Sequence, residues 1–92
     1  MNSSSTYGFF VCLLFFKYID GTVDSFVSII NKTDKLIKEF NCDINLSRKT
    51  KYNIINSLID NKLLTINQNN SKISLSKESK RYFNKYFDII LK

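Results

Sequence analysis

A chain of 92 residues with a formal net charge of +6 has room for one small domain, and its 43% apolar and 14% aromatic content suffices for a core. The absence of His and Trp removes the usual general base and the commonest metal ligand, and two cysteines thirty positions apart cannot form a C-x-x-C clamp, so neither an enzyme, a metal site nor a cofactor is expected. With no Pro and only two Gly, the chain is expected to be regular and mainly helical.

Residues 1–6 are small and polar and are expected to be a disordered N-terminus, with residues 7–92 forming a single domain. Phe9 to Phe16 is an unbroken apolar run of eight. It is far short of the roughly 20 residues of a membrane span. It also lacks the preceding Lys or Arg and the following small-residue cleavage site of a secretory signal, so a cytoplasmic protein without a membrane partner is expected. A helix over about 7–19 that is apolar on every side must be covered on every side. In so small a protein one side faces the core, and a second copy is the expected cover for the other. Cys12 lies in the apolar run and Cys42 in a polar connection, which reads as buried or incidental thiols in a reducing compartment, with a disulfide as the alternative.

Thr22 is placed to cap a short second helix, whose Val23, Phe26, Val27 and Ile30 follow the i, i+3, i+4, i+7 stripe. Asn31 to Thr33 reads as a break or a new cap, with Leu36, Ile37 and Phe40 on a third helix and Asn41 to Asn45 as a turn. Ser47 caps a fourth helix over Arg48 to Asn61, with Ile54, Ile55, Leu58 and Ile59 on one side. Leu63 to Asn67 and Lys72 to Ser76 alternate apolar and polar residues around a polar turn and predict a hairpin. Ser76 is placed to cap a last helix carrying Tyr82, Phe83, Tyr86, Phe87, Ile89, Ile90 and Leu91. Ten of the thirteen aromatics fall in the first and last helices, either as a shared packing and dimerisation layer or as one core. The expected fold class is mostly α with a small β-hairpin.

Charge is unevenly spread. Residues 1–46 hold four basic and five acidic residues, a net of −1, whereas residues 47–92 hold ten basic and three acidic residues, a net of +7. Such asymmetry suits a surface that meets a polyanion, because each Lys or Arg set against a phosphate releases counterions. An AT-rich genome also writes Asn, Lys and Ile, but that bias does not by itself make one half basic and leave the other acidic.

At about 100° per residue, Lys49, Asn53, Asn56 and Asp60 fall on one narrow arc of the fourth helix, opposite Ile54, Ile55 and Leu58, with Thr50 and Ser57 beside them. A DNA major groove accepts such a face. Asn bonds adenine N6 and N7, Lys reaches guanine O6 and N7, and hydroxyls suit base or phosphate. Ser47, Arg48 and the helix N-terminus fall where phosphate is expected, and Tyr52 at the boundary either contacts phosphate or flanks the core. Lys72 at the hairpin tip is the candidate there. The expected DNA-binding residues are therefore Ser47, Arg48, Lys49, Thr50, Tyr52, Asn53, Asn56, Ser57 and Lys72. A bare solvated helix face is the alternative, and Asp60 on the arc suits it.

The order helix, turn, helix, hairpin, helix, with Ser47-x-x-Thr50 leading through Ile54, Ile55 and Leu58 to Leu63 and Leu64, resembles the winged helix-turn-helix family over roughly half the chain. Within that family the layout is similar to the small TubR-like adaptors of tubulin-type plasmid and phage partition systems, through the hydrophobic first helix, the Asn31-Lys32-Thr33 stretch, the short wing and the amphipathic last helix. The resemblance implies a homodimer, paired through its first and last helices, that binds repeated centromere DNA and recruits a tubulin-like GTPase. A small transcription regulator would need the same contacts, and a winged-helix module for protein-protein interaction, without DNA binding, is the alternative. Two departures stand out: the connection from Phe40 to Ser47 is longer than the family's tight turn, and Lys51 occupies a position where an apolar residue is commoner, its ammonium expected to reach solvent.

Overall fold

The computed structural model describes residues 3–19, 21–23, 25–79 and 81. In chain order they form α1 (Ser3–Leu13), a π-helical segment (Leu14–Tyr18), α2 (Phe26–Glu39), α3 (Arg48–Asp60), β1 (Leu64–Ile66) and β2 (Ile73–Leu75). The protein is mostly helical with one small antiparallel sheet, as its sequence suggests. Among the described residues no helix is long and apolar enough to cross a membrane.

Helix α1 begins at Ser3, which corrects the expectation of a disordered leader through residue 6. Burial of Tyr7 and Val11, both 0% exposed, anchors the following turns, and the helix extends backwards from them. The run from Phe10 to Phe15 is buried within one chain, between α2, α3 and the sheet. Covering it does not require a second copy. The π-helical segment assists, because Ile19 N–H donates to the Leu14 carbonyl at 3.0 Å and the widened turn brings both Leu14 and Phe15 inward while Lys17 and Tyr18 stay exposed.

Gly21, at φ 114°, turns the chain out of this segment. Val23 then corrects the sequence reading. Rather than opening a helix, it forms an isolated antiparallel bridge with Ile73, donating N–H to the Ile73 carbonyl at 2.8 Å and accepting the Ile73 N–H at 2.7 Å. The N-cap of α2 is Ser25, not Thr22, and its Oγ accepts the Ser28 N–H at 3.2 Å. Helix α2 also runs without a break through Asn31 to Thr33, replacing the expected second and third helices by one. Its buried stripe of Ile29, Ile30, Thr33, Leu36 and Ile37 has helical spacing, and Asn31 and Lys32 stand on the solvent side.

Asn41 ends α2 in the left-handed region at φ 54°, with Asn41 N–H bonded to the Lys38 carbonyl at 3.0 Å and Cys42 N–H to the Ile37 carbonyl at 3.1 Å. These two bonds satisfy carbonyls that the helix end leaves open. The turn is thus shorter than the expected Asn41 to Asn45. The chain then alternates, with Cys42, Ile44 and Leu46 half-buried against the core and Asp43 and Asn45 exposed.

Helix α3 matches its sequence reading within one residue, and Lys62, at φ 63°, closes it with the same pair of bonds, Lys62 N–H to Ile59 and Leu63 N–H to Leu58. The hairpin also stands where expected. Leu64 faces Leu75 and Ile66 faces Ile73 across the ladder, and asparagines build the turn: Asn67 Oδ1 accepts the Asn69 N–H at 2.9 Å, and Asn70 Oδ1 accepts the Lys72 N–H at 3.0 Å. Ser76 Oγ accepts the Ser79 N–H at 3.0 Å, the bond of a helix cap. The apolar positions expected on the last helix, Tyr82 to Leu91, lie outside the described residues.

Lys51 departs from expectation. Its ammonium turns inward, donating to Asp34 Oδ2 at 3.1 Å and lying 5.7 Å from the centre of the Tyr7 ring, while the Tyr7 hydroxyl donates to Asp34 Oδ1 at 3.4 Å. One side chain each from α1, α2 and α3 therefore meets in a polar knot. Both cysteines are free thiols, Cys12 buried and Cys42 half-buried, which leaves the disulfide alternative without support.

Burial pushes the Cys12 thiol from its ordinary 9.0 up to about 12, and burial, then the Asp34 charge and hydrogen bond, raise Tyr7 above its ordinary 10.0. Both groups are neutral when protonated. The folded chain keeps their protons to higher pH than the unfolded chain, so their contribution is fully present below pH 9 and declines as pH rises. Above pH 9 the stability is expected to fall with a slope of about 1.4 kcal/mol per pH unit for Cys12, steepening above pH 10 as Tyr7 joins. Urea midpoints at pH 8, 9.5 and 10.5 check this, and Cys12→Ala should flatten the fall below pH 10. A midpoint independent of pH over that range would contradict it.

Candidate nucleic-acid interface

The α3 sequence folds locally for two reasons. Ser47 Oγ accepts the Thr50 N–H at 3.2 Å and lies 2.8 Å from Thr50 Oγ1, closing the first turn. Ile55, fully buried, then fixes which side of the helix faces inward. The opposite side carries Lys49, Asn53, Asn56, Ser57 and Asp60, all exposed. The arc inferred from 100° periodicity is thus a solvent-facing surface.

Arg48 is exposed beside Lys49 at the helix opening, and no acidic residue lies in the first turn of α3. Cations here oppose the helix dipole, which favours acidic side chains at an N-terminus by about 0.3–1 kcal/mol each. The opening of α3 therefore combines first-turn N–H groups, two cations and two hydroxyls bonded to each other, a set that suits an anion. Comparison with protein-family models, with curated proteins and with solved structures gives no match. The reading of this surface rests on its own chemistry.

The nine expected contact residues do not form one cluster. Ser47, Arg48, Lys49 and Thr50 gather at the opening turn, with Thr50 half-buried. Asn53, Asn56 and Ser57 continue along the helix. Tyr52 stands off this line: its half-buried ring packs on Phe26 at 5.5 Å between centroids, on the flank that joins α3 to α2. Lys72 is exposed on the hairpin, past the C-terminal end of α3 in the chain.

Sequence reasoning missed two participants. Asn61 turns its side-chain amide back onto the Ser57 carbonyl at 2.8 Å, closing the end of the polar side. Asp34 anchors the helix from behind through Lys51. The second was signalled in the sequence, since a lysine at an apolar position needs a partner when its end is drawn inward.

Proposed function

We propose that this chain is a sequence-specific double-stranded DNA-binding protein of the winged helix-turn-helix type, acting in the cytoplasm as a homodimer. The observation that carries the reading is the opening of α3, where Arg48 and Lys49 stand without an acidic neighbour in the first turn and lead into the exposed line of Asn53, Asn56 and Ser57. Phosphate at the helix opening neutralises the cations and accepts the N–H groups, while the amides face base edges in the major groove. The Val23 bridge to Ile73 supports the winged type, since it places a third short extended segment beside the hairpin and joins the wing to the body between α1 and α2. Lys72 at the wing then meets the flanking backbone. Dimerisation would use the expected first and last helices, the first through its exposed end at Tyr18 and the last through positions that lie outside the described residues. A partition adaptor that recruits a tubulin-like GTPase and a small transcription regulator both use these contacts.

Fluorescence anisotropy on duplexes selected from a random pool tests the reading. Asn53→Ala is expected to reduce discrimination between selected and scrambled duplexes by about 5–150-fold, corresponding to 1–3 kcal/mol. The double variant Arg48→Ala/Lys49→Ala should weaken both duplexes alike. Absence of binding at low salt, or binding unchanged by both variants, would end the proposal. The exposure of Tyr18 at 57% and Phe40 at 53% favours a second reading, a protein-interaction module, for which a monomer without DNA affinity in sedimentation is the expected sign.

A further inference from the structure

Helices α1 and α3 leave between them a groove of about 650 Å³, within the roughly 300–1,000 Å³ of small-molecule sites. Gly8 and Cys12 of α1 and the half-buried Ile54 and Leu58 of α3 supply its apolar lining, and the exposed Asn53 and Ser57 supply hydrogen-bonding groups beside them. None of the described residues that line it is Lys, Arg, Asp or Glu, although these make up 24% of the chain. The Cys12 thiol, whose ordinary value of 9.0 burial raises further, is protonated at neutral pH, so the wall is uncharged there as well.

Gly8 adds a second observation. A Cβ at this position would stand 3.7 Å from Ile54 Cγ2, an ordinary contact, so packing does not demand glycine. Within a helix glycine costs about 0.5–1 kcal/mol relative to alanine. What the missing side chain provides is room in the groove.

We propose that the groove between α1 and α3 binds an uncharged, largely apolar small organic molecule whose polar edge meets Asn53 and Ser57. A second copy of the chain is a poorer occupant, because stable protein interfaces engage roughly 20–30 residues a side and twelve of the described residues line this groove. Charged ligands are disfavoured because no charged side chain among the described residues of the wall compensates their desolvation. Asn53 and Ser57 also belong to the face assigned to DNA. If that reading holds, the occupant competes for the same amide and hydroxyl and acts as an effector.

The test uses the full chain without DNA and the neutral probe N-phenyl-1-naphthylamine, so its outcome is independent of DNA binding. Its fluorescence is expected to rise and saturate at one probe per chain, with the amide resonances of Gly8, Cys12, Ile54 and Ser57 shifting in the NMR spectrum. The sulfonated analogue 8-anilinonaphthalene-1-sulfonate should bind at least about tenfold more weakly. Gly8→Leu, which extends a side chain into the groove, should weaken the neutral probe by at least about tenfold while leaving the circular dichroism spectrum unchanged. A probe that does not saturate, an equal affinity for the sulfonate, or resonance shifts elsewhere would overturn the proposal. So would a dimer in sedimentation that Gly8→Leu converts to monomer, since a second copy would then fill the groove.

Discussion

Ile55→Ala is expected to destabilise the chain by about 2–5 kcal/mol, the range for removing a buried isoleucine and leaving part of its volume empty. Ile55 is 0% exposed and lies on the inner side of α3, which packs against both α1 and α2. Small domains have about 5–15 kcal/mol in total, so this one substitution removes a large share of it. A urea titration followed by circular dichroism measures the loss, and Val27→Ala provides the comparison, because Val27 is 39% exposed and should cost no more than about 0.5 kcal/mol. Equal effects at the two positions would mean that α3 does not seat as described. If the proposed DNA reading holds, the Ile55 variant should match the parent chain in DNA affinity under conditions where it is still folded, since the exposed side of α3 is untouched.

The second large effect concerns the polar knot. Asp34→Ala leaves the Lys51 ammonium, 17% exposed, without its carboxylate, and deprives the buried Tyr7 hydroxyl of its acceptor. Breaking a fully buried pair from one side costs about 3–5 kcal/mol, but Asp34 is 38% exposed and water replaces part of what is lost, so about 1–3 kcal/mol is expected. Lys51→Met also breaks the pair from one side, but the carboxylate it leaves is 38% exposed and still accepts from Tyr7, so the cost should be smaller, under about 1 kcal/mol. The double variant should fall close to Lys51→Met plus the small loss at Tyr7, giving a coupling that a double-mutant cycle reads directly. Lys51→Met leaves the Asp34 carboxylate partly exposed and still bonded to Tyr7, whereas Asp34→Ala leaves the more buried ammonium bare, so equal costs for the two would refute this asymmetry. The knot joins α3 to both α1 and α2, so on the proposed DNA reading Asp34→Ala should also reduce discrimination by loosening the angle at which the α3 face is presented.

How far the structure was readable in advance depended on how local each cause was. Helix α3 was legible because its cap, its apolar stripe and its end all lie within the segment itself, from Ser47 to Lys62. The hairpin was legible for the same reason, with alternation on both strands and asparagines to turn between them. The break expected at Asn31 to Thr33 was a false local signal: those residues resemble a cap, but Thr33 lies in the buried stripe of one continuous helix. Val23 was misread because its backbone partner, Ile73, is fifty positions away and leaves no local trace. Coverage of the apolar first helix was hidden too, since it depends on how α2, α3 and the sheet converge on it. On the candidate interface, the exposed arc followed from periodicity alone, whereas the groove beside it exists only once α1 lies next to α3.

The salt dependence of DNA binding is the most direct test of the account. If Arg48, Lys49 and Lys72 each meet a phosphate, about three counterions are released per chain, and log K should fall against log salt with a slope near −2.7 per engaged chain. Between 50 and 200 mM salt the affinity should therefore drop by roughly 40-fold for each chain on the duplex, and Arg48→Ala/Lys49→Ala should reduce the slope by about two. Binding whose strength ignores salt, or a slope that the double variant leaves unchanged, would contradict the placement of the α3 opening against the DNA backbone.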